Sequence, residues 1–324
     1  MLVKALNLPW HAVHSQDIAV TRGRSVADSR PDLAALLQSW ELHLRAERKS
    51  PETVKAYGDG VRRFLSWCAD ADIPAALDRP TVAAFVADLL DAGAEPATAR
   101  SRHLSLRRFS AWLVDEEELP RDELLGSKPP KLDTKVVPVL TEAQLAALIK
   151  ACRGRELRDR RDEAIVRLMA ETGARAGEVV AMTLADISLT AGSVIVRRGK
   201  GGRGRTVPIG PQTGTAVDRY LRARRTHRLA DTTALWLGDR GKRFTYDALH
   251  KTLKWRAEIA GITGFHPHVL RHTAASRWLA AGGSEGGLMA VAGWSRRDMI
   301  DRYTRATSEA RAAEEARRLG LGDL

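Results

Sequence analysis

The sequence predicts a mainly α protein with a small β-sheet, built as a helical bundle followed by a larger α+β part. Three observations carry this prediction. Helical periods fill residues 31–125, two short alternating segments flank residue 200, and the charge changes between the two parts. Residues 1–130 hold 17 Lys+Arg against 19 Asp+Glu, whereas residues 131–324 hold 35 against 21. Between them, GSKPPKLDTKVVP (126–138) has three prolines, three lysines and no helical period, and reads as an extended linker.

The elements follow in order. Residues 1–30 show no period and are expected to be a leader. After Pro31, Leu33, Leu36, Leu37, Trp40 and Leu44 recur at helical spacing. Ser50-Pro51-Glu52 supplies a cap, a first-turn proline and a first-turn acid to a second helix, with Val54, Tyr57, Val61, Phe64, Leu65 and Cys68 on one face. A third helix is expected from about Thr81 to Asp91. A fourth, from about Ala97 to Val114, sets Leu104, Leu106, Phe109 and Leu113 against Arg100, Arg102, Arg107 and Arg108.

Beyond the linker, Thr141-Glu-Ala-Gln144 is a capping box. A helix from about Arg161 to Thr172 ends at Gly173. Ser193–Val196 and Arg205–Ile209 alternate like strands and are joined by a glycine-rich basic hairpin tip. Further helices fit residues 213–228, 246–260, 268–281 and 296–303, and a tail helix fits 308–319. The expected divisions are thus 1–30, 31–125, 126–138, 139–305 and 306–324.

Composition narrows the function. A net charge of +12 points to a polyanionic partner, nucleic acid before a membrane surface. Cys68 and Cys152 cannot make a disulfide framework or a zinc site by themselves and read as buried free thiols. Trp278–Trp294, interrupted by Glu285 and five glycines, is too short and broken to span a bilayer. The first residues lack the basic start and cleavage site of a signal peptide. A cytoplasmic, nucleoid-associated protein is expected, with neither metal nor cofactor.

Four segments hold side chains suited to phosphate chemistry. In ETGARAGE (171–178), Arg175 follows the helix stop at Gly173, where its guanidinium can join free N–H groups at one anion; taken alone, the segment reads first as a connecting turn with a surface Arg–Glu pair. In RRGKGGRGR (197–205), Lys200 at a hairpin tip can deliver a proton or simply bind phosphate. In HPHVLRH (266–272), His268 and Arg271 share a helix face, which suits a held phosphate; a helix start with ordinary polar residues is the alternative. Metal ligation by His266, His268 and His272 lacks an acidic or cysteine partner. In the last segment, Trp294 precedes Tyr303 by nine residues, and Tyr303 taken alone reads as a packed surface tyrosine. Of four tyrosines, Tyr57 and Tyr246 read as core, and Tyr220 has no motif around it.

Taken together, the ordered Arg, Lys, His-x-x-Arg, Trp and Tyr resemble the tyrosine recombinase family. The resemblance lies in the TG-x-R-x-x-E turn (172–178), the GKGG-x-x-R-x-VPI hairpin, the H-x-LRHT helix and the GW-x₈-Y end. KSPETVKAYGDGVRRFLSWC (49–68) is similar to the helix pair of the family's core-binding, SAM-like domain. The likeness covers about residues 32–305, with two departures. Trp294 stands where histidine is frequent, and 30 residues before the bundle are too few for the arm-binding domain of larger integrases.

The resemblance implies a recombinase cleaving and rejoining DNA through a 3′-phosphotyrosyl intermediate to integrate or excise a mobile element. It assigns the catalytic set Tyr303, Arg175, Lys200, His268, Arg271 and Trp294, with Glu178 orienting His268 or Arg175 and His272 buttressing the helix. DNA contacts are expected from Lys49, Lys55, Arg63, Arg100, Arg107, Arg108, Arg203 and Arg205. It further implies double-stranded DNA as partner, a homotetramer on two duplexes with exchange of the C-terminal tail, and room for a directionality factor. A Xer-type resolvase, a transposon recombinase, a type IB topoisomerase and a non-catalytic DNA-binding protein are the alternatives.

Overall fold

The computed structural model describes residues 31–132, 138–197, 204–297, 299–300, 303 and 317. The chain divides between Thr134 and Lys135 into two compact units.

Among the described residues, the first unit is four helices, α1 (Leu33–Ala46), α2 (Pro51–Asp70), α3 (Arg79–Asp91) and α4 (Pro96–Asp115). Side chains cap the first three. Asp32 accepts from the amides of Ala34 and Ala35, Ser50 from that of Thr53, and Asp78 from that of Thr81. The third helix begins two residues before the expected Thr81, because Asp78 is the cap and Pro80 sits in the first turn. Trp40, Phe64, Phe85, Phe109 and Leu113 fill the core. Leu104, one of the apolar set of α4, is 39% exposed, since the face of α4 that packs on α2 and α3 runs through His103, Leu106 and Phe109. Residues 127–132 carry no helix or strand.

The second unit contains α5 (Glu142–Ala151), α6 (Leu157–Thr172), α7 (Ala176–Val180), β1 (Ile187–Ser188), β2 (Ser193–Val196), β3 (Arg205–Pro208), α8 (Pro211–Arg224), α9 (Tyr246–Ile259), α10 (His268–Ala280) and α11 (Glu285–Ala292). The sheet is antiparallel in the order β1-β2-β3, with Val194 opposite Val207 and Val196 opposite Arg205. α6 is the central helix, buried along Ala164, Ile165, Leu168 and Met169, and it packs against both α8 and α10.

α6 starts at Leu157 rather than near Arg161, and its first turns carry a buried ionic cluster. Arg161 pairs with Asp162, and Arg256 from α9 reaches both Asp162 (2.8 Å) and Asp159 (2.7 Å). α8 ends at Arg224, four residues short of the expected 228. The Arg224 guanidinium donates instead to the carbonyls of Ala230, Thr232, Ala234 and Leu235 in the following loop. Tyr246 opens α9 at 54% exposure and is not core, because a first-turn side chain faces outward before the buried stripe begins at Leu249. Both thiols are buried and free. Of the helix expected over 296–303, Met299, Ile300 and Tyr303 have helical backbone. The expected leader and, apart from Arg317, the expected tail helix lie outside the described residues.

Candidate active site

The site is assembled at the end of α6. Gly173 ends that helix in the left-handed region (φ 63°), a conformation glycine adopts without steric cost, and it turns the chain so that Arg175 caps α7. Glu178, one turn into α7, reaches back. Its Oε2 accepts from the Arg175 amide and its Oε1 from Arg175 Nη1, both at 2.9 Å.

Glu178 also receives Arg205 from β3, with Nη1 at 3.2 Å and Nη2 at 2.9 Å, while Arg205 Nε donates to the Val291 carbonyl at 2.6 Å. Arg205 was expected on the DNA face. Its side chain is 9% exposed and ties α7, β3 and α11 together. The alternation of β3 explains this: Arg205 and Val207 are two apart and share the inward face. Glu178 therefore holds Arg175 and Arg205. Burial pushes its carboxyl up, but hydrogen bonds from Arg205 and the Arg175 backbone outweigh this and leave it below its ordinary value.

Arg271 lies on α10 and is almost wholly buried. Nη1 donates to the Gly173 carbonyl at 2.5 Å and Nη2 to the Ala292 carbonyl at 2.8 Å. Its guanidinium sits over the Trp294 ring, 5.1 Å from the centroid. Burial, with the like charges of Arg175 and Arg205 nearby, pulls its pKa down to about 10. A buried cation so crowded favours an anion beside it.

Trp294 follows α11 directly, after Gly293 turns the chain at φ 64°. Its ring stacks on that of Tyr303, with centroids 5.6 Å apart and planes 16° from parallel. Trp294 Nε1 is buried and has no hydrogen-bond partner among the described residues. Tyr303 is half-buried, and its hydroxyl hydrogen-bonds to Nδ1 of His272. His268, one turn earlier on α10, stands T-shaped against His272 with centroids 4.6 Å apart. His272, expected to buttress its helix, meets the Tyr303 hydroxyl. The repeat of α10 held the signal, since residues 268 and 272 are four apart on one face.

Lys200 and Arg203 lie outside the described residues. In the first unit, Lys49, Lys55, Arg63, Arg100 and Arg108 are exposed and Arg107 is half-buried. Lys55 Nζ donates to Asp59 at 2.6 Å, Lys49 lies 3.4 Å from Glu47, and Arg100 donates to the Pro130 carbonyl at 3.2 Å. Among the described residues, no group of three or more His, Cys, Asp and Glu side chains could hold a metal ion, and no helix is long and apolar enough to cross a membrane.

The sequence model of the phage integrase family matches residues 138–310, and that of the phage integrase N-terminal SAM-like domain matches residues 37–117. The chain belongs to the phage integrase family. It is a tyrosine recombinase, an enzyme that breaks and rejoins DNA strands. Among curated relatives, tyrosine recombinase XerD of Bifidobacterium longum is 30% identical over 262 residues, covering 76% of this chain and 84% of the relative. Tyrosine recombinase XerD of Ralstonia nicotianae is 34% identical over 236 residues, covering 71% and 76%.

Solved recombinases share the fold. XerH bound to its palindromic difH substrate aligns with TM-score 0.68 at 15% identity, covering 90% of this chain and 85% of that one. A λ integrase tetramer bound to a Holliday junction aligns with TM-score 0.63 at 16% identity, covering 82% and 77%.

Proposed function

We propose that this recombinase integrates or excises a mobile DNA element, with Tyr303 as the nucleophile of a 3′-phosphotyrosyl intermediate. The observation that carries the reading is the position of Trp294, with Tyr303 stacked on its ring and the Arg271 guanidinium over it. A candidate nucleophile and a buried, anion-seeking cation thus share one support.

In this reading, Tyr303 Oη attacks the scissile phosphorus and the bond to the 5′ oxygen breaks. Arg175 and Arg271 neutralise the non-bridging oxygens, where forked donors suit phosphate. Losing either would cost about 2.7–4 kcal/mol of transition-state stabilisation, the range for an oxyanion donor. Lys200 protonates the departing 5′ oxygen. His268 orients the phosphate or assists the tyrosine, and the indole N–H of Trp294, without a partner among the described residues, donates to a phosphate oxygen. The phosphotyrosyl bond keeps the phosphodiester's energy, so a partner strand's 5′-hydroxyl can reseal the joint without ATP.

Four copies act on two duplexes and exchange C-terminal tails, a directionality factor selects the outcome, and the exposed lysines and arginines of α2 and α4 contact phosphates. A second reading, Xer-type resolution of DNA dimers, is favoured by the XerC and XerD names of the curated relatives.

The test is incubation with labelled, nicked duplexes drawn from element and host DNA flanking the coding region, followed by a denaturing protein gel. A covalent band from the wild type that Tyr303→Phe lacks supports the reading, and the trapped sequence separates an element end from a chromosomal site. A band from Tyr303→Phe refutes the assignment of the nucleophile.

A further inference from the structure

We propose that His272, rather than His268, holds the Tyr303 hydroxyl and takes its proton as the attack begins. The chemistry rests on the recombinase reading above, whereas the contact stands by itself.

The geometry is specific to these two residues. Nδ1 of His272 is hydrogen-bonded to Tyr303 Oη, and the ring centroids are 5.6 Å apart. Tyr303 is fixed on its other side by the Trp294 stack, so its hydroxyl has little freedom to turn elsewhere. His272 directly follows Arg271, whose guanidinium is anchored to the Gly173 and Ala292 carbonyls. The proton acceptor and the phosphate clamp are thereby carried on one rigid turn of α10. His268 packs against the ring of His272, and in this reading it orients the phosphate.

The chemistry follows from the acceptor. A free phenol ionises near pH 10 and is a weak nucleophile at neutral pH, whereas an imidazole titrates near 6.5 and accepts a proton there. A neutral imidazole has one acceptor nitrogen, so acceptance at Nδ1 places the ring proton on Nε2. As the Oη–phosphorus bond forms, the Oη–H bond breaks and its proton passes to Nδ1. The phosphorus–5′-oxygen bond breaks with its electron pair on the leaving oxygen, which Lys200 protonates. In resealing, the 5′-hydroxyl attacks, the Oη–phosphorus bond breaks, and His272 returns the proton to Tyr303.

Two measurements on the full chain test this. In the first, no DNA is present and the tyrosines carry carbon-13 at Cζ. The Tyr303 signal is assigned with Tyr303→Phe, and Tyr220, buried in the same unit, reports an intact fold. His272→Ala is expected to shift the Tyr303 signal and leave that of Tyr220 in place. An unchanged Tyr303 signal overturns the contact.

The second follows adduct formation on the nicked duplex that the wild type traps. His272→Ala is expected to slow it by roughly 10²–10⁴-fold, the usual contribution of a general base, with DNA affinity unchanged and added imidazole restoring part of the rate. Adduct formation at the wild-type rate, or a slow rate that imidazole does not raise, overturns the proton role. If the wild type itself traps no duplex, the recombinase reading has failed on this DNA, and the Tyr303 signal still decides the contact.

Discussion

Glu178 and Arg205 stand 27 residues apart in the chain, yet the carboxylate of one accepts two hydrogen bonds from the guanidinium of the other. The same carboxylate caps Arg175, so a single buried acid sets the position of two arginines.

Removing that charge should therefore act on the fold and on the chemistry together. Glu178→Gln turns an amide toward two guanidiniums and is expected to cost about 3–5 kcal/mol, the usual penalty for breaking a buried pair. Urea denaturation checks the stability, and the covalent-adduct rate is expected to fall with it.

The same residue predicts a pH dependence. The folded-state pKa of Glu178 lies below its ordinary 4.5, so its contribution is complete above pH 4.5 and is lost as pH falls through the lowered value. Stability measured from pH 6 downward should fall less steeply for Glu178→Gln than for the wild type. Parallel curves would show that Glu178 does not carry the effect.

Helices α2 and α4 meet at a glycine. A Cβ added at Gly60 would lie 2.4 Å from both Cβ and Oγ of Ser105. Gly60→Ala is expected to destabilise the first unit by about 1–3 kcal/mol through overpacking. The pair Gly60→Ala/Ser105→Gly should recover most of that loss in a denaturation cycle.

Tyr220 gives a contrast to Tyr303. Its hydroxyl donates to the Leu235 carbonyl and accepts from the Leu237 amide, each at 2.9 Å. Tyr220→Phe leaves that buried amide unpaired at a cost of about 1–3 kcal/mol. The melting temperature should drop while the adduct rate of the folded protein is retained, the reverse of what Tyr303→Phe should show.

The helices were legible because amphipathic spacing is local. Trp40, Phe64 and Phe109 lie inside as their periods required, and Ser50, Thr141 and Gly173 mark helix ends as their chemistry suggested. α11 shows no clear signal in the sequence because Gly286 and Gly287 interrupt it, although Ser284 caps the helix and Leu288 and Ala292 bury it. α7 and β1, of five and two residues, are too short to show a period.

The chain alone determined which side chains are available: the ordered Arg175, His268, Arg271, Trp294 and Tyr303, and the basic charge of the part that contains them. Tertiary structure decided what each one meets. Arg205 turned inward to Glu178, His272 met the Tyr303 hydroxyl, and Arg271 closed on a carbonyl 98 residues away. Periodicity reports the environment within a few turns of one helix. A hydrogen bond across 98 residues depends on how separate elements pack, and only the closed core sets that distance.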